Sequence, residues 1–201
     1  MKTSILTLAI ALSSVLGISQ AAFAGDKSHN EITVLNDISH INKIEVHGNV
    51  ELYLSDGMTD NVKVYNSYYS ENALVQSQDG VLKISSYKAE KLVVWVTVSN
   101  LCNLSIYDNA QAKSFGNLSA IELNVDLYNN ASAQLKLDAY SVNMKLNDRA
   151  KADIEGTITE AAFGYDYSAY LNTSNLSSEH LAKKVNPFNS TVSFKNSLVD
   201  L

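Results

Sequence analysis

Apolar and polar residues alternate along most of the chain, a pattern typical of strands that bury one face and expose the other. The clearest alternating runs are residues 44–46, 50–54, 62–64, 82–84 and 94–98. The tripeptides at 55–57 and 78–80 both end in Asp-Gly, which suits the reversals between strands. No long helical pattern occurs, and residues 179–184 fit at most a short helical turn. The sequence therefore predicts an all-β fold.

A six-residue pattern recurs four times in the second half of the chain. The copies read YDNAQA from Tyr107, YNNASA from Tyr128, NDRAKA from Asn147 and DYSAYL from Asp166. Spacings of 21, 19 and 19 residues separate their first alanines, which are Ala110, Ala131, Ala150 and Ala169. Repeats of this length are typical of single coils in a solenoid. We therefore predict a right-handed β-helix-like solenoid with coils of about 19–21 residues.

Aligning the copies on these alanines sorts the other positions into apolar and polar columns. Apolar residues stand six positions before the alanine in each copy, namely Leu104, Val125, Met144 and Phe163. Opposite charges also fall into register, because Asp126 aligns with Lys145 and Lys136 with Glu155. Residues of one column lie above one another at about the 4.8 Å spacing of paired strands. The alignment thus predicts which side chains face inward and which touch across coils.

The first half of the chain fits the same scheme less regularly. Gly48 is expected to take the place of the corner alanine, with Val50 and Leu52 in the inward columns that follow. The strand spacing between residues 56 and 100 predicts a hairpin-like insertion that closes one end of the solenoid. At the other end, residues 190–195 alternate like a last strand that caps the stack.

The N-terminal segment indicates export. Residues 1–24 combine Lys2, a short apolar run broken by serines, and Ala22-Phe23-Ala24 before Gly25, the pattern of a cleaved signal peptide. We expect residues 25–201 to form a single domain without a transmembrane segment, in the periplasm, at the cell surface or outside the cell. The formal charge of −6 does not suit nucleic acid, and the single cysteine excludes an internal disulfide.

Motifs for common catalytic or cofactor chemistry are missing from the sequence. The four histidines lack metal-ligand spacing, and neither a nucleophile elbow nor a phosphate-binding glycine loop occurs. We therefore predict no catalytic residues, no metal and no cofactor. One enzymatic alternative remains, in which Asp108 and Asp148, two coils apart with Asn129 between them, cleave a polysaccharide. The same three residues are also the best calcium candidates, although calcium requires more oxygen ligands.

Exposed side chains near the corners give the best candidate for recognition. Tyr107 and Tyr128 lie in adjacent coils, and Asn109 and Asn130 follow them. Tyrosine binds sugars and proteins through an apolar ring and a polar tip, and asparagine supplies hydrogen bonds. Strand propensity and turn preference also account for these residues without any ligand. We assign these four residues to a ligand-binding face as a hypothesis.

Several stretches resemble one known family. They read INKIEVHGNVELYLSDG from Ile41, VKV from Val62, DGVLKI from Asp79, VVWVTV from Val93 and LCNLSIYDNA from Leu101. In this order they resemble the head GIN domain of exported bacterial proteins described as autotransporter adhesins, over residues 41–176. This chain departs from the family by placing alanine and asparagine at corners where the family has glycine.

The resemblance implies a β-helix-like domain of an envelope or surface protein with an adhesive role and no catalytic residues. We therefore predict a secreted, non-enzymatic binding or adhesion module of the bacterial cell envelope that recognises glycan or a surface protein. A polysaccharide-cleaving β-helix enzyme and a purely structural envelope protein are the alternatives. The sequence leaves the ligand and the oligomeric state open.

Overall fold

The structure is a computed structural model that describes residues 32–35, 38, 40–65 and 73–186. The predicted signal peptide and the predicted capping strand at 190–195 lie outside these residues. Fourteen strands make up the regular structure of the described part: β1 (Ile32–Leu35), β2 (Lys43–Gly48), β3 (Val50–Asp56), β4 (Asn61–Tyr65), β5 (Ala73–Gln78), β6 (Val81–Ser86), β7 (Leu92–Val98), β8 (Asn103–Ile106), β9 (Gln111–Ser114), β10 (Leu118–Leu127), β11 (Ser132–Leu146), β12 (Lys151–Asp166), β13 (Tyr170–Asn172) and β14 (Leu176–Asn186).

This inventory confirms the all-β prediction, because no helix occurs within the described ranges. The short helical turn considered for residues 179–184 is wrong, since those residues lie inside β14. There the chain pairs in parallel with β12, and such backbone pairing overrides a weak local preference for helix.

All fourteen strands belong to one connected sheet. A sheet with one apolar face must cover that face with another layer or with itself. In the described residues there is no helix to act as the cover, so the sheet curls around its own apolar face. The enclosed core is formed mainly by aliphatic side chains, and Phe163, only 2% exposed, is its largest fully buried residue.

The pairing of β8 to β13 follows the alanine alignment. Ala133 is the Cα partner of both Ala112 and Ala152, and Val125 is that of both Leu104 and Met144. All of these pairings are parallel. The charged residues also face each other as predicted, with Asp126 opposite Lys145 and Lys136 opposite Glu155. Every member of the predicted apolar column is buried: Leu104, Val125, Met144 and Phe163.

The first half of the chain is arranged out of chain order. The β2–β3 segment lies between the later β6–β7 and β8–β9 segments and pairs in parallel with both. Strands β4 and β5 then pair antiparallel with β7 and β6, and β1 pairs antiparallel with β4. The antiparallel strands β4 and β5 agree with the hairpin-like insertion predicted for residues 56–100, but β6 and β7 in the same stretch belong to the parallel stack.

The assignment of Gly48 to the alanine column is wrong by two residues. Glu51 pairs with Gln111, which brings Val50 level with Ala110 and Gly48 level with Asp108. Gly48 and Asp108 both have left-handed backbone, with φ of 82° and 61°. A Cβ at Gly48 would lie 2.1 Å from the carbonyl oxygen of Ser86. Glycine is therefore required here by backbone conformation and close approach.

Candidate functional site

Four corners, those that follow β2, β8, β10 and β11, contain a residue with left-handed backbone. Beside Gly48, these are Asp108, Asn129 and Asp148, with φ of 61°, 59° and 59°. Aspartate and asparagine tolerate this conformation better than other residues with a side chain, which explains their recurrence at this position. The repeat seen in the sequence thus has a conformational cause.

The same side chains join neighbouring corners through hydrogen bonds to the backbone. Asp108 Oδ2 accepts from the Gly48 N–H at 3.0 Å, and Asn129 Oδ1 accepts from the Asp108 N–H at 3.2 Å. Asp148 Oδ2 accepts from the Asn129 N–H at 3.0 Å, and Asp166 Oδ2 accepts from the Asp148 N–H at 2.8 Å. We call this series the corner ladder. It satisfies backbone donors that the strand pairing leaves free at each corner.

The corner ladder gives Asp108 and Asp148 a structural role. Each uses one carboxylate oxygen to hold the preceding corner, and Asp108 Oδ2 also accepts from the Tyr87 hydroxyl at 3.3 Å. Asn129, which lies between them, is held in the same way. The two residues named for the enzymatic alternative thus stabilise the backbone of neighbouring corners.

Asp148→Ala is expected to lower the free energy of unfolding by about 2 kcal/mol, because alanine removes one hydrogen bond and fits left-handed backbone poorly. Asp148→Asn keeps an acceptor oxygen and the backbone tolerance, so we expect a loss within about 0.5 kcal/mol. Urea denaturation of both variants measures the difference. Equal losses in the two variants would contradict the corner ladder as the reason for Asp148.

The two candidate tyrosines are in direct contact. The Tyr107 and Tyr128 rings are stacked with centroids 4.7 Å apart and planes at 2°. His47 stacks on the other face of Tyr107, at 4.3 Å and 3°. Both faces of the Tyr107 ring are therefore covered, and Tyr107 and Tyr128 are both partly exposed. Burial, followed by the nearby charge of Asp126, raises the pKa of the Tyr128 hydroxyl.

The two candidate asparagines also meet. Asn130 Nδ2 donates to Asn109 Oδ1 at 3.2 Å, and both side chains are exposed. Each asparagine is two residues along the chain from its tyrosine, across the left-handed corner residue. The structure thus joins the four residues as two separate pairs, one aromatic and one amide.

A second aromatic cluster was not found from the sequence. Trp95 of β7 stacks on Tyr53 of β3, with ring centroids 4.7 Å apart and planes at 18°. Phe115 and Tyr65 lie against Trp95 in tilted geometry, at 5.4 and 6.5 Å. The alternation pattern places Tyr53 and Trp95 outward, but their contact depends on the pairing of β3 with β7, which the local pattern does not reveal.

A charged group borders this cluster. Lys113 Nζ donates to Glu51 Oε1 at 2.6 Å, and the Tyr53 hydroxyl donates to the same oxygen at 2.9 Å. Lys91 Nζ lies 3.8 Å from the other oxygen of Glu51. The hydrogen bond from Lys113 holds the pKa of the Glu51 carboxyl below its usual range. Glu51 is therefore ionised at neutral pH and fixes Tyr53 and Lys113 in place.

Two further observations concern metals and membranes. Across residues 32–186, as far as the structure describes them, no three His, Cys, Asp or Glu side chains are grouped to hold a metal ion. The same residues include no helix of the length and hydrophobicity that a membrane span requires.

Comparisons with solved structures find the same fold in other bacterial proteins. A "putative adhesin" from Parabacteroides merdae is 15% identical, with a TM-score of 0.61 over 77% of each chain. A "putative adhesin" from Parabacteroides distasonis is 15% identical, with a TM-score of 0.58 over 79% of this chain and 80% of its own. A "putative lipid binding protein" from P. distasonis is 11% identical, with a TM-score of 0.61 over 77% and 78%.

Comparison at the level of sequence identifies one family. No curated protein shows significant similarity to this chain. The family model described as "putative auto-transporter adhesin, head GIN domain" matches residues 40–191. That match covers most of the chain and includes the strands from β2 to β14 and all of the corner ladder. The chain therefore belongs to the head GIN domain family.

Proposed function

We propose that this protein is a non-enzymatic binding module of the bacterial cell envelope, exported by the segment 1–24 and folded over residues 25–201 as a right-handed β-helix. Parallel pairing at intervals of 19 residues, as between Val125 and Met144, supports the winding. The adhesin description of the family supports the role. The structural use of Asp108 and Asp148 favours binding over polysaccharide cleavage.

The stack of His47, Tyr107 and Tyr128 carries this proposal. A ligand-binding surface gains affinity when its side chains are ordered before the ligand arrives, because less conformational entropy is then lost. Stacking at 4.3 and 4.7 Å holds these three rings in fixed orientation. The hydroxyl groups of the stack, with the amides of Asn109 and Asn130, then form a rigid set of hydrogen-bonding groups that face a glycan or a surface protein.

The double variant Tyr107→Phe/Tyr128→Phe tests this face. It keeps the stacked rings and removes only the hydroxyls, so we expect ligand affinity to fall about tenfold while stability changes little. The full chain, expressed with its own N-terminal segment and purified, is labelled and applied to a glycan array and to intact bacterial cells. Mass spectrometry of the retained glycans detects any cleavage.

Tyr140→Phe is the matched control, because Tyr140 is an exposed tyrosine outside the stack. Retention by the control and loss by the double variant would support the proposed face. Equal binding by all three proteins would overturn the assignment of Tyr107, Tyr128, Asn109 and Asn130. Cleavage that Asp148→Asn abolishes would instead establish the enzymatic alternative.

A further inference from the structure

A groove runs across the outward face of β9, β11 and β12, beside the Trp95 aromatic cluster. Its volume is about 360 Å³. Tyr53 and Phe115 form one end, and polar side chains of the neighbouring strands form the floor. The polar lining residues that matter here are Lys113, Gln134, Lys136, Asp153 and Glu155. We call this the Phe115 groove. It lies on the second strand of each coil, whereas the Tyr107 stack adjoins the first.

Phe115 differs from the stacked tyrosines because it is largely exposed. The residue is 66% exposed, and its ring contact with Trp95 is tilted at 57°. The backbone is nevertheless fixed, since the Phe115 N–H donates to the Leu54 carbonyl oxygen at 2.6 Å. An exposed aromatic ring on an anchored backbone offers a flat apolar surface at small entropic cost. Tyr107, with both faces covered, does not offer such a surface.

The charges of the groove limit the kind of ligand that fits. Two of the lining side chains are cationic, Lys113 and Lys136, and two are anionic, Asp153 and Glu155. Lys113 is already paired with Glu51, and Lys136 faces Glu155 across the sheet. A charged polymer would meet like charges in this groove, whereas an uncharged one meets none. Hydroxyl groups both donate to carboxylates and accept from ammonium and amide groups, so they match this floor.

We propose that the Phe115 groove binds a neutral glycan. One sugar ring packs against the Phe115 ring, and its hydroxyls bond to Gln134, Lys136 and Asp153. This inference rests on the proposed binding function and adds a ligand class and a second binding location to it. The groove is distinct from the Tyr107 stack, so each can fail without the other.

Trp95 supplies a built-in reporter for the test. It is the only tryptophan of the chain and contacts Phe115, and none of its ring contacts in the described residues involves Tyr107 or Tyr128. The purified full chain is titrated with maltohexaose, cellohexaose, mannohexaose and chitohexaose while Trp95 emission and calorimetric heat are recorded. We expect at least one of these probes to change the emission saturably.

Phe115→Ala is expected to weaken that binding about tenfold, and Phe115→Tyr, which keeps the ring, to retain it. Ile121→Ala is the matched control, because Ile121 is an apolar side chain 81% exposed that does not line the groove. Binding heat that comes without an emission change and is equal in the parent and Phe115→Ala would overturn the groove as the binding site. The proposed function would then still stand. The absence of both binding heat and emission change with all four probes would overturn the neutral-glycan assignment. Binding to intact cells tests the proposed function separately.

Discussion

Gly156→Ala is expected to lower the free energy of unfolding by about 4 kcal/mol, from left-handed strain and steric overlap together. Gly156 has φ of 106°, and a Cβ there would lie 2.0 Å from the carbonyl oxygen of Leu137. Leu137 is its Cα partner on β11, so the overlap falls between two paired strands. The Gly156 N–H also donates to the Asn175 carbonyl oxygen at 3.1 Å, which opposes any local rotation. Urea denaturation followed by circular dichroism measures the loss.

Two other glycines separate the causes. Gly116 has φ of 81°, but a Cβ added there would meet no atom within 4 Å, so Gly116→Ala should show left-handed strain alone, about 1 kcal/mol. Gly164 has open space and no positive φ, so Gly164→Ala should change stability by less than about 0.5 kcal/mol. A loss in Gly156→Ala no greater than that in Gly116→Ala would show that β11 and β12 separate easily at this point.

The repeated half of the chain could be predicted closely from the sequence. The alanine alignment placed Ala112, Ala133 and Ala152 in one column, and these residues are Cα partners in the structure. This succeeds because consecutive repeats pair with their neighbours along the chain, so that the sequence interval alone sets the register. In such a stack, local periodicity and tertiary pairing carry the same information.

The first half could not be predicted to the same depth, because its pairing is not sequential. The β2–β3 segment lies beside β8–β9, some 60 residues later, as the pairing of Glu51 with Gln111 shows. Gly48 resembles a corner alanine in size, and only the register reveals that it matches Asp108. The contact between Tyr53 and Trp95 depends on the same long-range pairing.

The corner residues show where a correct local prediction is incomplete. Aspartate and asparagine at Asp108, Asn129 and Asp148 indicate left-handed turns, and the structure has them. Their side chains accept hydrogen bonds from neighbouring corners, however, and the turn preference of a residue says nothing about a partner 19 to 60 residues away. The same residues therefore looked available for catalysis in the sequence while they serve the backbone in the fold.

Ala131→Leu is expected to destabilise the protein by about 3 kcal/mol through overpacking. Ala131 is fully buried, and its column holds Ala110 on one side and Ala150 on the other. Hydrogen bonds from the Ser132 N–H to the Ala110 carbonyl and from the Lys151 N–H to the Ala131 carbonyl, at 3.0 and 2.9 Å, keep the three corners close. The three corners therefore cannot move apart to admit a larger side chain. A thermal midpoint lower by about 10 °C is the expected readout.

Ala162→Leu adds the same atoms at an exposed position of β12 and should leave the thermal midpoint nearly unchanged. Ala150→Leu should repeat the loss of Ala131→Leu, because its corner is bonded to neighbours in the same way. Val50 takes the place of the alanine at the corner that contains Gly48, and it is fully buried. At that corner the left-handed residue is a glycine without a side chain, and the alanine position accepts a larger residue. The thermal midpoint of Ala131→Val should therefore lie between those of the parent and Ala131→Leu. A leucine variant as stable as the parent would show that alanine recurs at the corners for a reason other than space.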